Sequence, residues 1–272
     1  MNQMAKIIQS RTLDQRVVAD EDILRFERVC FAKQPVYGDR FRILDNLSFS
    51  VANDEFVAIV GPSGCGKTST LLLAAGFDQP SNGKIRWLGE KREISQGPVM
   101  VFQKDTVFDW MTLEQNLGFV LQHSQSIRNP ATVIDDILRL TGLATFRDFY
   151  PREVSGGMRK RIELGRAWIT GRPLLLDEPM GQLDSLSRES MQQTLQHLWL
   201  EAPRPVLLVT HDLEESLILA DRILVMDGPP GTIKKSISVP FPRPRATELR
   251  FDSHFQRMRR DLQQELIRRS EL

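Results

Sequence analysis

Gly61-Pro62-Ser63-Gly64-Cys65-Gly66-Lys67-Thr68 has the residue types and spacing of a phosphate-binding loop. Glycines in such a loop let the backbone close around phosphate oxygens with amide N–H groups pointing inward. A helix that starts there aims its positive end at the same place. The spacing carries Lys67 to the β- and γ-phosphates of a nucleotide and the Thr68 hydroxyl to Mg2+. The predicted nucleotide contacts run from Gly61 to Ser69. A second group, Leu174-Leu175-Leu176-Asp177-Glu178-Pro179, is an apolar run ending in two carboxylates. Such a strand delivers its terminal acid to the sheet edge where nucleotides bind. Asp177 is expected to hold Mg2+, through water, and Glu178 to polarise an attacking water. The chemistry these residues suit is hydrolysis of a nucleoside triphosphate.

These groups need elements to bring them together. Phe56 to Val60 is a short continuous apolar run, as in a buried parallel strand, and Thr68 to Ala75 is a good helix former stopped by Gly76. Ile23–Phe31, Ile43–Val51, Lys84–Leu88, Val99–Phe102, Leu174–Leu176, Val206–Val209 and Ile223–Met226 read as further strands, with a turn over Val36–Arg42. Helical periodicity dominates from about Leu113 to Thr170, punctuated by Pro130, Gly142 and Pro151, and returns around Ser187–Leu200. Strands alternating with helices predict an α/β sheet, and the helical block predicts a subdomain inserted into it. The tail is expected to form an amphipathic helix, with Phe251, Phe255, Met258, Leu262 and Leu266 on one stripe and Arg257, Arg259 and Arg260 on a solvated basic face.

The composition of the 272-residue chain narrows the function classes. Lys and Arg total 36 against 35 Asp and Glu, so the basic excess of a nucleic-acid binder is missing. The two cysteines, Cys30 and Cys65, stand far apart in no ligand-spaced cluster, which argues against a disulfide framework or a zinc site and fits a reducing compartment. Met1 to Asp20 has no apolar core of a signal peptide, and no stretch has the roughly 20 apolar residues of a membrane span. A membrane role would come through a partner. Cys65, inside the phosphate loop, is expected to be open to alkylation, with inhibition that ATP prevents.

Between the loop and the Asp-Glu pair lies Val154-Ser155-Gly156-Gly157-Met158. Ser155 is a natural helix N-cap, so the helix from about Met158 to Ile169 would present its positive end to phosphate. With this tripeptide the chain resembles the ATP-binding cassette family, the ATPase subunits of ABC transporters, over about Ile23 to Thr232. The resemblance implies that Ser155, Gly156 and Gly157 contact the γ-phosphate of ATP held by the loop of a second subunit. It also makes Val101-Phe102-Gln103 a Q-loop, with Gln103 touching Mg2+ or water and signalling to membrane subunits. Thr210-His211-Asp212 becomes a switch segment whose His211 bonds the γ-phosphate and orients water. Gly181-Gln182-Leu183-Asp184 becomes a D-loop with Asp184 at the dimer seam. Tyr37 is the candidate for stacking on adenine, with Phe31 and Phe41 as rivals and Lys33 near the place where that aromatic often falls.

Two further segments, Phe108-Asp109-Trp110-Met111-Thr112 and Asp221 to Gly231, are similar to the nitrate/sulfonate/taurine importer group. Asp109 stands where that group commonly has Pro, and Met180-Gly181-Gln182 where it has Phe-Gly-Ala, which leaves the substrate open. The implied fold is α/β: a P-loop NTPase sheet core, an antiparallel β subdomain and an inserted α-helical signature subdomain. The expected division is a flexible lead-in over 1–21, an ATPase domain over 22–240 with its helical subdomain at about 105–170, and a tail over 241–272. The implied cofactors are ATP and Mg2+. The implied partners are a second ATPase subunit, identical or paralogous, two transmembrane permease subunits and an extracytoplasmic binding protein, with no nucleic acid. The implied location is peripheral, on the cytoplasmic face of the membrane. A soluble non-transport ATPase of the same superfamily, an exporter subunit and a protein whose nucleotide only controls assembly are the alternatives.

Overall fold

A computed structural model describes residues 22–34, 40–87, 97–122 and 129–267. In chain order it contains β1 (Asp22–Lys33), β2 (Phe41–Ala52), β3 (Phe56–Val60), α1 (Lys67–Ala75), β4 (Asn82–Trp87) and β5 (Val99–Val101). Then come α2 (Leu113–Leu121), α3 (Pro130–Leu140), α4 (Gly156–Trp168), β6 (Leu174–Asp177), α5 (Ser185–Glu201) and β7 (Val206–Val209). The chain continues through α6 (Leu213–Leu219), β8 (Arg222–Asp227), β9 (Thr232–Ser238) and α7 (Ser253–Ile267).

The main sheet has the order β5-β6-β7-β3-β8-β9. β5, β6, β7, β3 and β8 run parallel, and β9 closes the edge antiparallel to β8. A smaller antiparallel sheet has the order β2-β1-β4. Side-chain alternation on β3 explains the layering. Phe56, Ala58 and Val60 face a core filled by Leu117, Ile137, Trp168, Leu195 and their neighbours. Val57 and Ile59 face a second core shared with Leu24, Leu44 and Leu71. A strand covered on both faces is apolar throughout its buried run, as β3, β7 and the Leu174–Leu176 part of β6 are. The helices inserted between β5 and β6 join the first of these cores, through Leu113, Val133 and Ile162.

Some expectations change. The tail stripe is shorter than its sequence suggests. Phe255 and Leu262 are fully buried and Met258 and Leu266 partly so, but Phe251 is 85% exposed, in a 3-10 turn over Thr247–Phe251. That turn breaks the helical phase before α7 begins. The basic face is also partly engaged, because Arg259 pairs with Glu214 at 3.6 Å. β9 was not read from the sequence; its pattern, Thr-Ile-Lys-Lys-Ser-Ile-Ser, is largely polar because an edge strand is half open to solvent. The expected lead-in, most of the turn before β2 and Tyr37 lie outside the described residues. No helix among the described residues is long and apolar enough to cross a membrane.

Candidate active site

β3 ends at Val60, and the chain turns through the glycine-rich loop into α1. Gly64 and Gly66 have φ of 80° and 97°, values that L side chains rarely adopt. Packing adds a second constraint at Gly66, where a Cβ would come within 2.4 Å of Leu44 Cδ2. Lys67 is buried and curls over its own loop, its Nζ donating to Gly61 O at 2.8 Å and Pro62 O at 2.9 Å. Cys65 does not fulfil the expectation of an open thiol. Its side chain is fully buried in the second core, and burial pushes the thiol pKa up.

The acidic strand end meets this loop. The Thr68 hydroxyl donates to Asp177 Oδ1 at 3.1 Å. Burial raises the Asp177 pKa, while the Thr68 hydrogen bond works against that rise. Glu178 takes a left-handed conformation, φ 44°, which is unfavourable for a non-glycine residue by roughly 1–3 kcal/mol. Two backbone bonds impose it: Glu178 N donates to Val209 O at 2.9 Å, and Gly181 N donates to Glu178 O at 3.1 Å. The kink turns the Glu178 carboxylate to two partners. His211 Nδ1 lies 3.2 Å from Oε1, and Gln103 Nε2 donates to Oε2 at 3.3 Å. The arrangement sets two hard oxygen ligands, Thr68 and Asp177, at a helix N-terminus beside a carboxylate bracketed by an amide and an imidazole. It suits divalent-cation binding and activation of a water beside bound phosphate.

The sequence profile of the ABC transporter family matches residues 44–181, a span that includes the loop and the Asp177-Glu178 pair. The chain belongs to the ABC transporter family. It is similar to the aliphatic sulfonates import ATP-binding protein SsuB of Bacillus licheniformis, with 40% identity over 75% of this chain and 81% of that protein. It is similar to the taurine import ATP-binding protein TauB of Ruegeria pomeroyi, with 38% identity over 75% and 77%. It is also similar to the nitrate import ATP-binding protein NrtD of Synechococcus elongatus, with 36% identity over 75% and 77%. In fold it matches the dimeric structure of a bacterial ABC transporter cassette, with a TM-score of 0.68 at 22% identity, covering 80% of this chain and all of the other.

Within this ABC cassette the signature tripeptide stands at the start of α4. Ser155 Oγ accepts from Met158 N at 3.2 Å and caps the helix, as its residue type predicts. Ser155 and Gly156 are exposed, whereas Gly157 is buried against α5, where a Cβ would come within 3.1 Å of Ser187. Asp184 caps α5 by accepting from Ser187 N at 3.0 Å, and bonds from Ser187 hold its carboxyl below the usual range. Gly157 and Asp184 therefore both meet α5 at Ser187.

Several polar residues around the site escaped the sequence reading. Lys160 and Glu163 form a buried ion pair at 2.7 Å on α4. Lys160 also donates to Phe102 O and Gln103 O, while Glu163 accepts from Thr106 N and Oγ1. α4 thus clamps the Gln103 segment. The available signal was an i,i+3 Lys-Glu pair inside a helix that is otherwise largely buried. Arg188 reaches Asp212 at 3.4 Å, and Glu215 lies buried behind His211.

Proposed function

We propose that this cassette is the ATP-hydrolysing subunit of an importer for a small anion of the nitrate, sulfonate or taurine class. The observation that carries the reading is the bracketing of Glu178 by Gln103 and His211, one residue beyond the Asp177 carboxylate that meets Thr68. The loop amides over Gly61–Thr68 and Lys67 bind the phosphates; Ser69 follows in the first turn of α1. Thr68, Asp177 and Gln103 would hold Mg2+, which would offset charge on the phosphate oxygens. Glu178 takes the proton of the attacking water, and His211 orients that water and contacts the γ-phosphate. Phosphoryl transfer needs mainly positioning and electrostatics, and these residues supply both.

Exposed Ser155 and Gly156 suit closure on phosphate held by a second copy, with Asp184 near the seam. We take residues 22–240 as the ATPase domain, working peripherally on the cytoplasmic face of a membrane with two permease subunits and an extracytoplasmic binding protein. The substrate class rests on the named relatives and on the segments around Trp110 and Pro229. Deleting the gene should abolish growth on one of taurine, an alkanesulfonate or nitrate as sole sulphur or nitrogen source, with rescue by the wild-type chain but not by Glu178→Gln. Normal growth of the deletion strain on all three would overturn the transport assignment.

A further inference from the structure

α6 begins at Leu213, two residues after His211, and its third residue is an acid with no role in the mechanism above. Glu215 is 3% exposed. Its Oε2 meets the Thr210 hydroxyl at 2.6 Å, and its Oε1 has no hydrogen-bond partner among the described residues. Thr210 Oγ1 in turn accepts from Asp212 N at 3.0 Å, and Asp212 Oδ1 accepts from Glu214 N and Glu215 N. The turn that carries His211 is therefore tied to the Glu215 carboxyl through Thr210, whose hydroxyl also takes up the Asp212 N–H. Glu215 also lines a shallow crevice together with Glu178, Gly181, Arg188 and His211.

Burial is the main influence that disfavours ionisation of Glu215, and the Thr210 hydrogen bond works against that influence. Glu178 at the end of β6 and Asp212 at the cap of α6 are both acidic, and Arg188 of α5 is the cation that counters them. Glu214, on α6 itself, is turned to Arg250 at 3.8 Å and Arg259 at 3.6 Å. An ionised Glu215 would be a buried charge with one bare oxygen.

We propose that Glu215 is a positioning residue whose buried carboxyl, through Thr210, holds the Thr210–His211–Asp212 turn so that His211 faces Glu178. The inference rests on the reading of Glu178 and His211 as the hydrolytic centre. Burial raises the Glu215 pKa to about 8, so the carboxyl is protonated at neutral pH and ionises in mildly alkaline solution. Ionisation adds a negative charge beside Asp212 and Glu178, and this repulsion disturbs the turn although the Thr210 hydrogen bond favours the charged form.

The test is steady-state ATP hydrolysis by the purified full chain with Mg·ATP as the probe, measured from about pH 6 to about pH 10. Wild type should lose kcat on the alkaline side with a midpoint near about 8. Glu215→Leu should lower kcat about ten-fold or more at neutral pH while KM for ATP moves less than about three-fold. Glu215→Gln keeps the Thr210 contact and should rescue most of that kcat, with the alkaline decline shifted up or gone. Wild-type kcat in Glu215→Leu, or an unchanged alkaline midpoint in Glu215→Gln, overturns the proposal. Where Glu215→Leu does not fold, the Glu215→Gln profile decides alone. Glu178→Gln runs in parallel: normal turnover there overturns the hydrolytic centre itself, whereas a defective Glu178→Gln beside indifferent Glu215 variants overturns only the positioning role.

Discussion

Thr68 Oγ1 lies 3.1 Å from Asp177 Oδ1, although 109 residues of sequence separate them. The sheet order explains the contact. Asp177 ends β6, which pairs with β7, and β7 pairs with β3, the strand that launches the phosphate loop. Parallel register brings the C-terminal ends of these strands to one edge of the sheet, and both oxygens stand at that edge.

Thr68→Ala and Asp177→Asn should each weaken Mg2+ use, raising the Mg2+ concentration for half-maximal hydrolysis about ten-fold or more. A Mg2+ titration at fixed ATP reads the effect. Wild-type dependence in both variants would remove these oxygens from the cation site.

Glu178→Gln keeps the shape of the side chain and removes its basicity. ATP affinity should stay near wild type while turnover falls by roughly two decades or more. Equilibrium nucleotide binding and single-turnover hydrolysis separate the two quantities. Near-normal hydrolysis would exclude Glu178 as the base.

Cys65 should react slowly with alkylating reagents in the folded chain. Its thiol is buried and its pKa is raised by burial, and the thiolate is the reactive form. Labelling should be on the order of ten-fold slower than for a free thiol at the same pH, and denaturant should restore the rate. Mass spectrometry of the labelled peptide reads the site. Rapid modification of the folded protein would contradict the packing of the loop on the second core.

The Lys160–Glu163 pair should show the asymmetry of buried charges. Glu163→Leu alone leaves Lys160 unpaired and should cost about 3–5 kcal/mol of unfolding free energy. Lys160→Met with Glu163→Leu removes both charges and should be more stable than Glu163→Leu alone. Denaturant unfolding of the single and double variants measures this. A double variant no more stable than Glu163→Leu would mean that the ties to Phe102, Gln103 and Thr106 dominate instead.

Stability should depend on pH through Glu215. Its pKa rises from an ordinary 4.5 to about 8 on folding, so across that window the folded chain holds a proton that the unfolded chain releases. Stability is then fully present below about 4.5 and is lost progressively as pH rises towards about 8. Glu215→Gln lacks this slope, so its melting temperature should gain on wild type through the window and level off above it. A constant difference would show that Glu215 ionises as readily folded as unfolded.

Much of this protein was written locally. The phosphate loop needs only its glycines, Lys67 and Thr68 in order, because a loop followed by a helix makes a phosphate site from adjacent residues. The continuous apolar runs of β3, β6 and β7 marked strands covered on both faces, and Ser155 marked a helix start because a hydroxyl there can take up a free backbone N–H. The burial of Cys65, the turn at Phe251 and the polar edge strand β9 were not readable in this way. Each depends on what packs against the segment rather than on its own pattern.

The sequence by itself determined the residue types on offer: a glycine-rich loop ending in Lys67 and Thr68, two adjacent carboxylates at a strand end, and a serine-capped helix. Only the tertiary structure decided which of these meet. It turned Glu178 into a left-handed kink between Gln103 and His211, left Ser155 on an exposed helix end, and buried Glu215 beneath the turn that carries His211. Motif residues need only short-range order to be recognised. Their mutual geometry is set by sheet pairing and core packing between segments far apart in the chain, and the protonation of a group such as Glu215 follows from the burial that this packing imposes.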